Sequence, residues 1–252
     1  MSAKPGKTRA RTPRRRAETR PRGSLSRDEI LETGLRIARE GDLQSLTMQR
    51  LGDELGVTPM AVYRYFQNKD EIVDGVLDRF VEASAPTSHA DPDEGWQAWL
   101  RVTFGAMRTS ILSTPGVLPL LGTSSSMGRG AMSVLNEVLE VLRGAGFPRE
   151  SAAEAFFTLM GFTLGACSQE LAWRRPIEGQ TDSEREERLR QIRSAFESQS
   201  RSRFPAIVDS APELAEIMAR YPFERGLDRI LAALESELAT SASPRRRRPS
   251  DE

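Results

Sequence analysis

Residues 47–71, TMQRLGDELGVTPMAVYRYFQNKDE, crowd three helix starts into one short stretch, and that crowding limits what the chain can build there. Thr47 precedes an apolar-periodic run and is placed to cap it, with Leu46 and Leu51 spaced as a hydrophobic staple across the cap. Gly56 follows Leu55, where glycine lets the backbone leave a helix with positive φ. Thr58 is placed as a second cap. Pro59 takes the first helical position, where a missing N–H costs nothing, and Val57 and Val62 repeat the staple. Asn68 and Glu71 have the spacing of a capping box. Starts this close leave room for helices of about two turns. Two such helices joined by so tight a turn form a helix-turn-helix, whose second helix fits the major groove of DNA.

The second helix has an unusual outer surface. Val62 and Phe66, four apart, anchor it, and the other faces show Pro59, Met60, Tyr63, Arg64 and Tyr65. No acidic residue lies between Thr58 and Lys69, although Asp53, Glu54, Asp70 and Glu71 flank the gap. Apolar, aromatic and cationic tips without acids suit a polyanion. The alternative open to the residues alone is a structural three-helix module whose tyrosines only pack.

The chain has 252 residues, with 36 Lys and Arg against 36 Asp and Glu. That neutrality hides an asymmetry. Residues 1–22 hold nine basic side chains against Glu18, and residues 245–248 are four arginines offset by Asp251 and Glu252. The remaining body carries 23 basic and 33 acidic residues, so basic arms hang from an acidic body. Residues 1–23 lack apolar periodicity and are expected to be a disordered arm. The arm either reaches phosphates or the minor groove, or is a solubilising tail. One cysteine, Cys167, leaves no internal disulfide and no multi-cysteine zinc site, which fits a reducing cytoplasm. No apolar segment follows the arginine-rich start, so no signal peptide is expected.

Residues 25–80, LSRDEILETGLRIAREGDLQSLTMQRLGDELGVTPMAVYRYFQNKDEIVDGVLDRF, resemble the DNA-binding domain of TetR-like (tetracycline-repressor-like) transcriptional regulators. LGVTPMAVYRYFQNKDE is the most specific part of the match. The resemblance implies an all-α homodimer that binds operator DNA and releases it when a small molecule occupies a larger C-terminal domain. It also implies that Tyr63, Tyr65 and Lys69 anchor the DNA backbone. Beside it, the helix starts point to Thr47 and Thr58 as phosphate donors and to Pro59, Met60 and Ala61 as apolar base contacts. Gln49 and Arg64 are candidate base or phosphate readers.

The rest of the chain reads as helices. Ser26 and Glu29 start the first, whose buried stripe is Ile30, Leu31, Leu35, Ile37 and Ala38. Residues 68–84 continue as a helix with Ile72, Val73, Val76, Leu77, Phe80 and Val81 inward, the natural lever between domains. Residues 84–95 form a linker holding the only histidine, His89. Residues 96–111 are a helix with Trp96, Leu100, Phe104 and Met107 on one face. Pro115 and Pro119 bracket a short helical or irregular piece, residues 123–130 are a loop, and a helix covers 131–142. Residues 155–169, AFFTLMGFTLGACSQ, carry no charge. As a helix they span only about 22 Å, short of the roughly 30 Å hydrocarbon core of a membrane, so a buried central helix is expected. Cys167 is expected to be a small core residue there. Residues 174–203 are highly charged, and for the part from Ser183 a helix with little buried face and a long mobile connection both remain open. Residues 212–220 form a short helix and 222–238 an amphipathic one with Phe223, Leu227, Ile230, Leu231, Leu234 and Leu238 on one stripe. Residues 240–252 are expected to be disordered.

GFTLGACSQE (161–170) and FERGLDRILAALE (223–235) are similar to segments of the ligand-binding domain in the tetracycline-repressor branch, where they form a four-helix dimer interface. The branch chelates magnesium and drug partly through histidine, but the positions implied for its histidines hold Leu120 and a residue near Ala85. Leucine and alanine offer no imidazole nitrogen or carboxylate to a hard cation or its chelate.

The expected organisation is an arm (1–23), a three-helix DNA-binding domain (24–84), a larger helical ligand-binding and dimerisation domain (85–239) and a tail (240–252). The expected function is a cytoplasmic, ligand-responsive repressor that binds a palindromic operator as a homodimer, with no cofactor, no metal and no membrane partner. A small apolar effector would release it, held among Trp96, Trp99, Phe104, Met107, Arg108, Leu120, Phe157, Met160, Gln169 and Glu170. The alternative is a DNA-binding dimer without an effector. An enzyme is not expected, for the chain lacks a Ser–His–Asp order, a phosphate loop and a metal-ligand cluster.

Overall fold

The computed structural model describes residues 25–41, 43–84, 95–121, 128–174, 181–219 and 221–242, and every regular element among them is helical. The expected arm, the linker with His89, most of the 123–130 loop and the tail from 243 lie outside the described residues.

Local caps set the helix boundaries of the N-terminal unit, and a buried cluster from Ile30 to Phe80 holds its helices together. Helix α1 (Arg27–Arg39) starts where Ser26 Oγ accepts the Glu29 N–H at 3.1 Å. Helix α2 (Met48–Leu55) starts where Thr47 Oγ1 accepts the Arg50 N–H at 3.0 Å, and it ends at Gly56 with φ 67°. Helix α3 (Pro59–Tyr63) is only five residues long, and the Thr58 side chain makes no cap bond to it, contrary to expectation. The fixed φ of Pro59 shapes this start instead. Helix α4 (Lys69–Ser84) begins with Asn68 Oδ1 accepting the Glu71 N–H at 2.9 Å. The return half of that box is displaced by one residue, because Glu71 Oε2 accepts from Gln67 N–H at 2.8 Å. That bond, with Arg27 on the other oxygen, holds the Glu71 carboxyl below its ordinary range. The turn between α2 and α3 also depends on Gly52. A Cβ there would lie 2.8 Å from the Val57 carbonyl oxygen, whose residue donates its N–H to Gly52 O at 2.8 Å.

The larger unit comprises α5 (Trp96–Ser113), a 3-10 turn at Pro115–Val117, α6 (Leu118–Leu121), α7 (Arg129–Gly144), α8 (Arg149–Arg174), α9 (Asp182–Glu197), α10 (Pro205–Asp209), α11 (Ala211–Ala219) and α12 (Phe223–Ala242). Leu100, Phe104, Val138, Leu142, Phe147, Leu159, Phe223, Leu227 and Leu231 form its buried centre. The N-terminal core does not stop at the domain boundary, for Ile111, Val117 and Cys167 belong to the same buried cluster as Ile30, Leu51 and Val76. Gly116 lies so close under the end of α1 that a Cβ would be 2.7 Å from the Ala38 carbonyl oxygen. Across from it, Asp78 on α4 accepts the Gly130 N–H at the start of α7, at 3.2 Å.

Three expectations need correction, and one open alternative is decided. Helix α7 begins at Arg129, two residues early. Helix α12 runs three residues past the expected end of the domain. Of the charged stretch, the part from Asp182 to Glu197 takes the helical alternative: Thr181 and Glu184 form a reciprocal capping box, and Arg190–Glu187 and Arg193–Glu197 pair along α9. Helix α8 is not buried all round. Phe157 is 66 % exposed, and Gly161, Gly165 and Ser168 continue the open stripe. A run without charge is common to cores and to subunit interfaces, so composition alone does not separate them.

Candidate DNA interface and interior cavity

Val62 and Phe66 are 0 % and 1 % exposed, and these anchors turn the rest of α3 outward. Met60 is 69 % and Tyr63 49 % exposed, and Thr58 and Arg64 are exposed beside them. Pro59 and Ala61 are half-buried, and Lys69 lies half-buried at the first position of α4. Thr47 accepts the cap bond through Oγ1, which leaves its hydroxyl hydrogen for an outside acceptor. Gln49 is exposed and donates through Nε2 to Asp53 within α2 at 3.0 Å.

Tyr65 differs from its expected role. Its hydroxyl donates to the Leu25 carbonyl at 2.5 Å, and its own carbonyl accepts from Arg27 at 2.9 Å. The phenol thus ties α3 to the entry of α1. Arg27, which sequence reasoning passed over, stacks 4.1 Å over the Phe66 ring and pairs with Glu71 at 2.8 Å. No local spacing signals a contact between residues about forty positions apart.

A cavity of about 240 Å³ lies in the larger unit, lined by Arg108, Glu170, Trp173, Met218, Ala219, Tyr221 and Glu224. Arg108 grips Glu170 in bidentate fashion, Nε to Oε2 at 2.9 Å and Nη2 to Oε1 at 3.0 Å. The guanidinium also lies 3.6 Å from Glu224 and 5.2 Å from the Phe223 ring centre. Only Arg108 and Glu170 of the expected pocket set line this cavity. Phe104 is fully buried, Trp96 packs edge-on to Phe147, and Trp99, Met107 and Met160 pack half-buried against the same core. Leu120 packs against the N-terminal core, while Phe157 and Gln169 face outward. Sequence reasoning missed Trp173, Met218, Tyr221 and Glu224. Trp173 follows Glu170 by three on α8, a spacing that marks a shared face. The other three surround the joint between α11 and α12, which no periodicity locates.

Thr103 on α5 keeps a buried hydroxyl with no hydrogen-bond partner. Cys167 is buried, and desolvation pushes its thiol up to about 11, so it is not a ready nucleophile. Among the described residues no group of three or more His, Cys, Asp or Glu is placed to hold a metal, and no helix is long and apolar enough to cross a membrane.

A short, tightly anchored helix with an outward apolar and aromatic tip, set on a larger helical body, is the arrangement of a helix-turn-helix regulator. Residues 30–76 match the model of the bacterial regulatory proteins of the tetR family, and residues 88–238 match that of the tetracyclin repressor-like C-terminal domain, so the chain belongs to the TetR family. It is a DNA-binding transcriptional repressor with a ligand-binding C-terminal domain, and not an enzyme. The transcriptional repressor DrrR1 of Streptomyces coeruleorubidus is 29 % identical over 157 residues, 62 % of this chain and 58 % of DrrR1. The class C tetracycline repressor of Escherichia coli is 25 % identical over 218 residues, 86 % of this chain and 94 % of the repressor. The fold is shared with the TetR-family protein ActR of Streptomyces coelicolor in complex with actinorhodin, at a TM-score of 0.72 and 22 % identity, over 86 % of this chain and 99 % of ActR.

Proposed function

We propose that the chain acts in the cytoplasm as a homodimer that represses transcription from a palindromic operator and is released by a small, largely apolar effector bound without metal. The observation that carries the DNA half is the exposure of Met60 and Tyr63 on a helix held from behind by Val62 and Phe66. In this reading Thr47, Thr58, Tyr63 and Lys69 hold phosphates, Pro59, Met60 and Ala61 meet base edges, and Gln49 and Arg64 read bases or phosphates. The open stripe of Phe157, Gly161 and Gly165 on α8, beside the exposed face of α12, supports a four-helix seam between two copies. Leu120 at a position where the tetracycline branch is expected to place histidine supports a metal-free effector.

A dimer places two α3 helices on half-sites one DNA turn apart, about 34–36 Å. Helix α4 touches α7 through Asp78 and Gly130, and α7 packs on α8, a wall of the cavity; in this reading a filled cavity alters the separation of the two heads along that route. The test is operator selection from random duplex with the full chain, sedimentation of the complex, and release against a compound panel with and without chelator. Palindromic sites bound by two copies and released without added magnesium are expected. Release that needs magnesium and stops with chelator refutes the metal-free effector, and release by none leaves a DNA-binding dimer without one.

A further inference from the structure

We propose that Asp53 is a positioning residue that sets a base preference of the reading head: it fixes the Gln49 amide with its oxygen outward, so that Gln49 selects adenine. This deepens the operator reading and rests on it. Gln49 and Asp53 are four residues apart on α2, and both are exposed. At about 100° per residue they lie on the flank of α2 that adjoins Gly52. Gly52 is pressed against the turn into α3, where a Cβ would lie 2.8 Å from the Val57 carbonyl oxygen and 3.3 Å from the Pro59 nitrogen. The opposite flank of α2 turns toward α1, for Arg36 on α1 donates to Glu54 at 2.8 Å and Arg50 donates to Ser45 at 2.7 Å. Gln49 therefore stands beside the entry to the reading helix, one turn from the Thr47 cap, on the side that α1 does not cover.

A glutamine amide in water can present either end to a base. Here the end is decided. Nε2 of Gln49 donates to Asp53 Oδ1 at 3.0 Å, and a carboxylate only accepts. Turning the amide over would set Oε1 against that oxygen, acceptor against acceptor. The bond takes one of the two Nε2 hydrogens and leaves Oε1 and the second hydrogen for an outside partner. In the major groove adenine alone offers the matching pair, a donor at N6 and an acceptor at N7. Guanine shows two acceptors, thymine an acceptor beside a methyl, and cytosine a donor alone. The Asp53 charge also repels a phosphate brought to the same amide. Of the two roles open to Gln49, base and phosphate, the pair thus favours the base.

The experiment selects duplexes from a random pool with the full chain and with its Gln49→Ala, Asp53→Asn and Asp53→Ala variants, each checked for folding by circular dichroism. Affinities for single-base variants of the selected site are then measured by fluorescence anisotropy at one salt concentration. One position in each half-site is expected to prefer adenine over guanine by about tenfold, and to lose that preference in Gln49→Ala. Asn at 53 can donate to Gln49 Oε1 and so lets the amide turn, and Ala releases it. Both are expected to cut the preference at that position to about threefold or less, with the other positions unchanged. The ratio between bases is what is read, so a general gain in affinity from losing a negative charge cancels. Replacing that adenine by purine, which lacks the 6-amino group, or by 7-deazaadenine is expected to weaken the parent about fivefold and Gln49→Ala not at all. Unchanged preferences in Gln49→Ala overturn the proposal. So does guanine at the Gln49-dependent position, or an adenine preference that both Asp53 variants keep. Each of those outcomes leaves selection by the parent chain intact, whereas a parent chain that selects no sequence refutes the operator reading beneath it and the proposal with it.

Discussion

The Arg108–Glu170 pair allows a stability prediction with an internal check. The two side chains are not equally buried, at 18 % and 5 % exposed, and they have different second options. Arg108→Met takes from Glu170 the guanidinium that binds both its oxygens in a nearly closed site. Breaking a buried pair from that side costs about 3–5 kcal/mol. Glu170→Met leaves Arg108 beside Glu224 and open to the cavity, so its loss is closer to that of a single charged hydrogen bond, about 1.5–3 kcal/mol. Removing both charges together, with side chains of similar volume, should return the protein to within about 1 kcal/mol of the parent. The three variants are unfolded thermally and in urea at one fixed protein concentration, because self-association makes the midpoint depend on it. For a chain of this size each kcal/mol moves the midpoint by about 2–4 °C, so Arg108→Met should lose roughly 10 °C and the double variant almost nothing. If the two single losses simply add in the double variant, or if Glu170→Met costs more than Arg108→Met, the pair is not a closed buried unit.

Three further outcomes follow from the reading head. Tyr63→Ala and Lys69→Ala should each lower operator affinity about tenfold with unchanged circular dichroism and sedimentation, and unchanged binding in both refutes the docking. Deleting residues 1–22 should flatten the dependence of log affinity on log salt by about 0.9 for each phosphate that the arm neutralises, because residues 24–82 alone hold seven basic and twelve acidic side chains; an identical slope makes the arm a passive tail. Gly52→Ala should cost about 1–3 kcal/mol in urea unfolding, since its Cβ would press on the Val57 carbonyl rather than on a yielding side chain.

The parts of this fold legible in the sequence are those decided within five residues. The side-chain caps of Ser26, Thr47 and Asn68 on the N–H three residues on, the left-handed Gly56 and the buried stripe of α1 are all local and stand as the spacing predicts, while the return half of the Asn68 box goes to Gln67. Thr58 shows the limit, since a residue of the right type at the right position makes no cap bond. What could not be read depends on partners distant in the chain. Tyr65 has the same residue type as Tyr63 and lies two positions away, yet only the Leu25 carbonyl decides that one hydroxyl is committed inside. The aromatic surplus of α5 and α8 looks like a pocket in sequence; among the described residues most of it packs in the core, and one cavity lies by the α11–α12 joint. Periodicity ranks which face of a helix is apolar; it does not rank which apolar face is left with room beside it.

The shared core of Ile111, Val117 and Cys167 with the N-terminal helices bears on how such proteins can be recombined. The head is not a cartridge. A chimera cut near residue 84 would carry away one half of a jigsaw and leave the other half, including the slot that Gly116 provides for the end of α1, shaped for a piece that is gone. Transplanting this head onto another body therefore means carrying residues 111–121 with it, or recutting the recipient's matching turn to glycine.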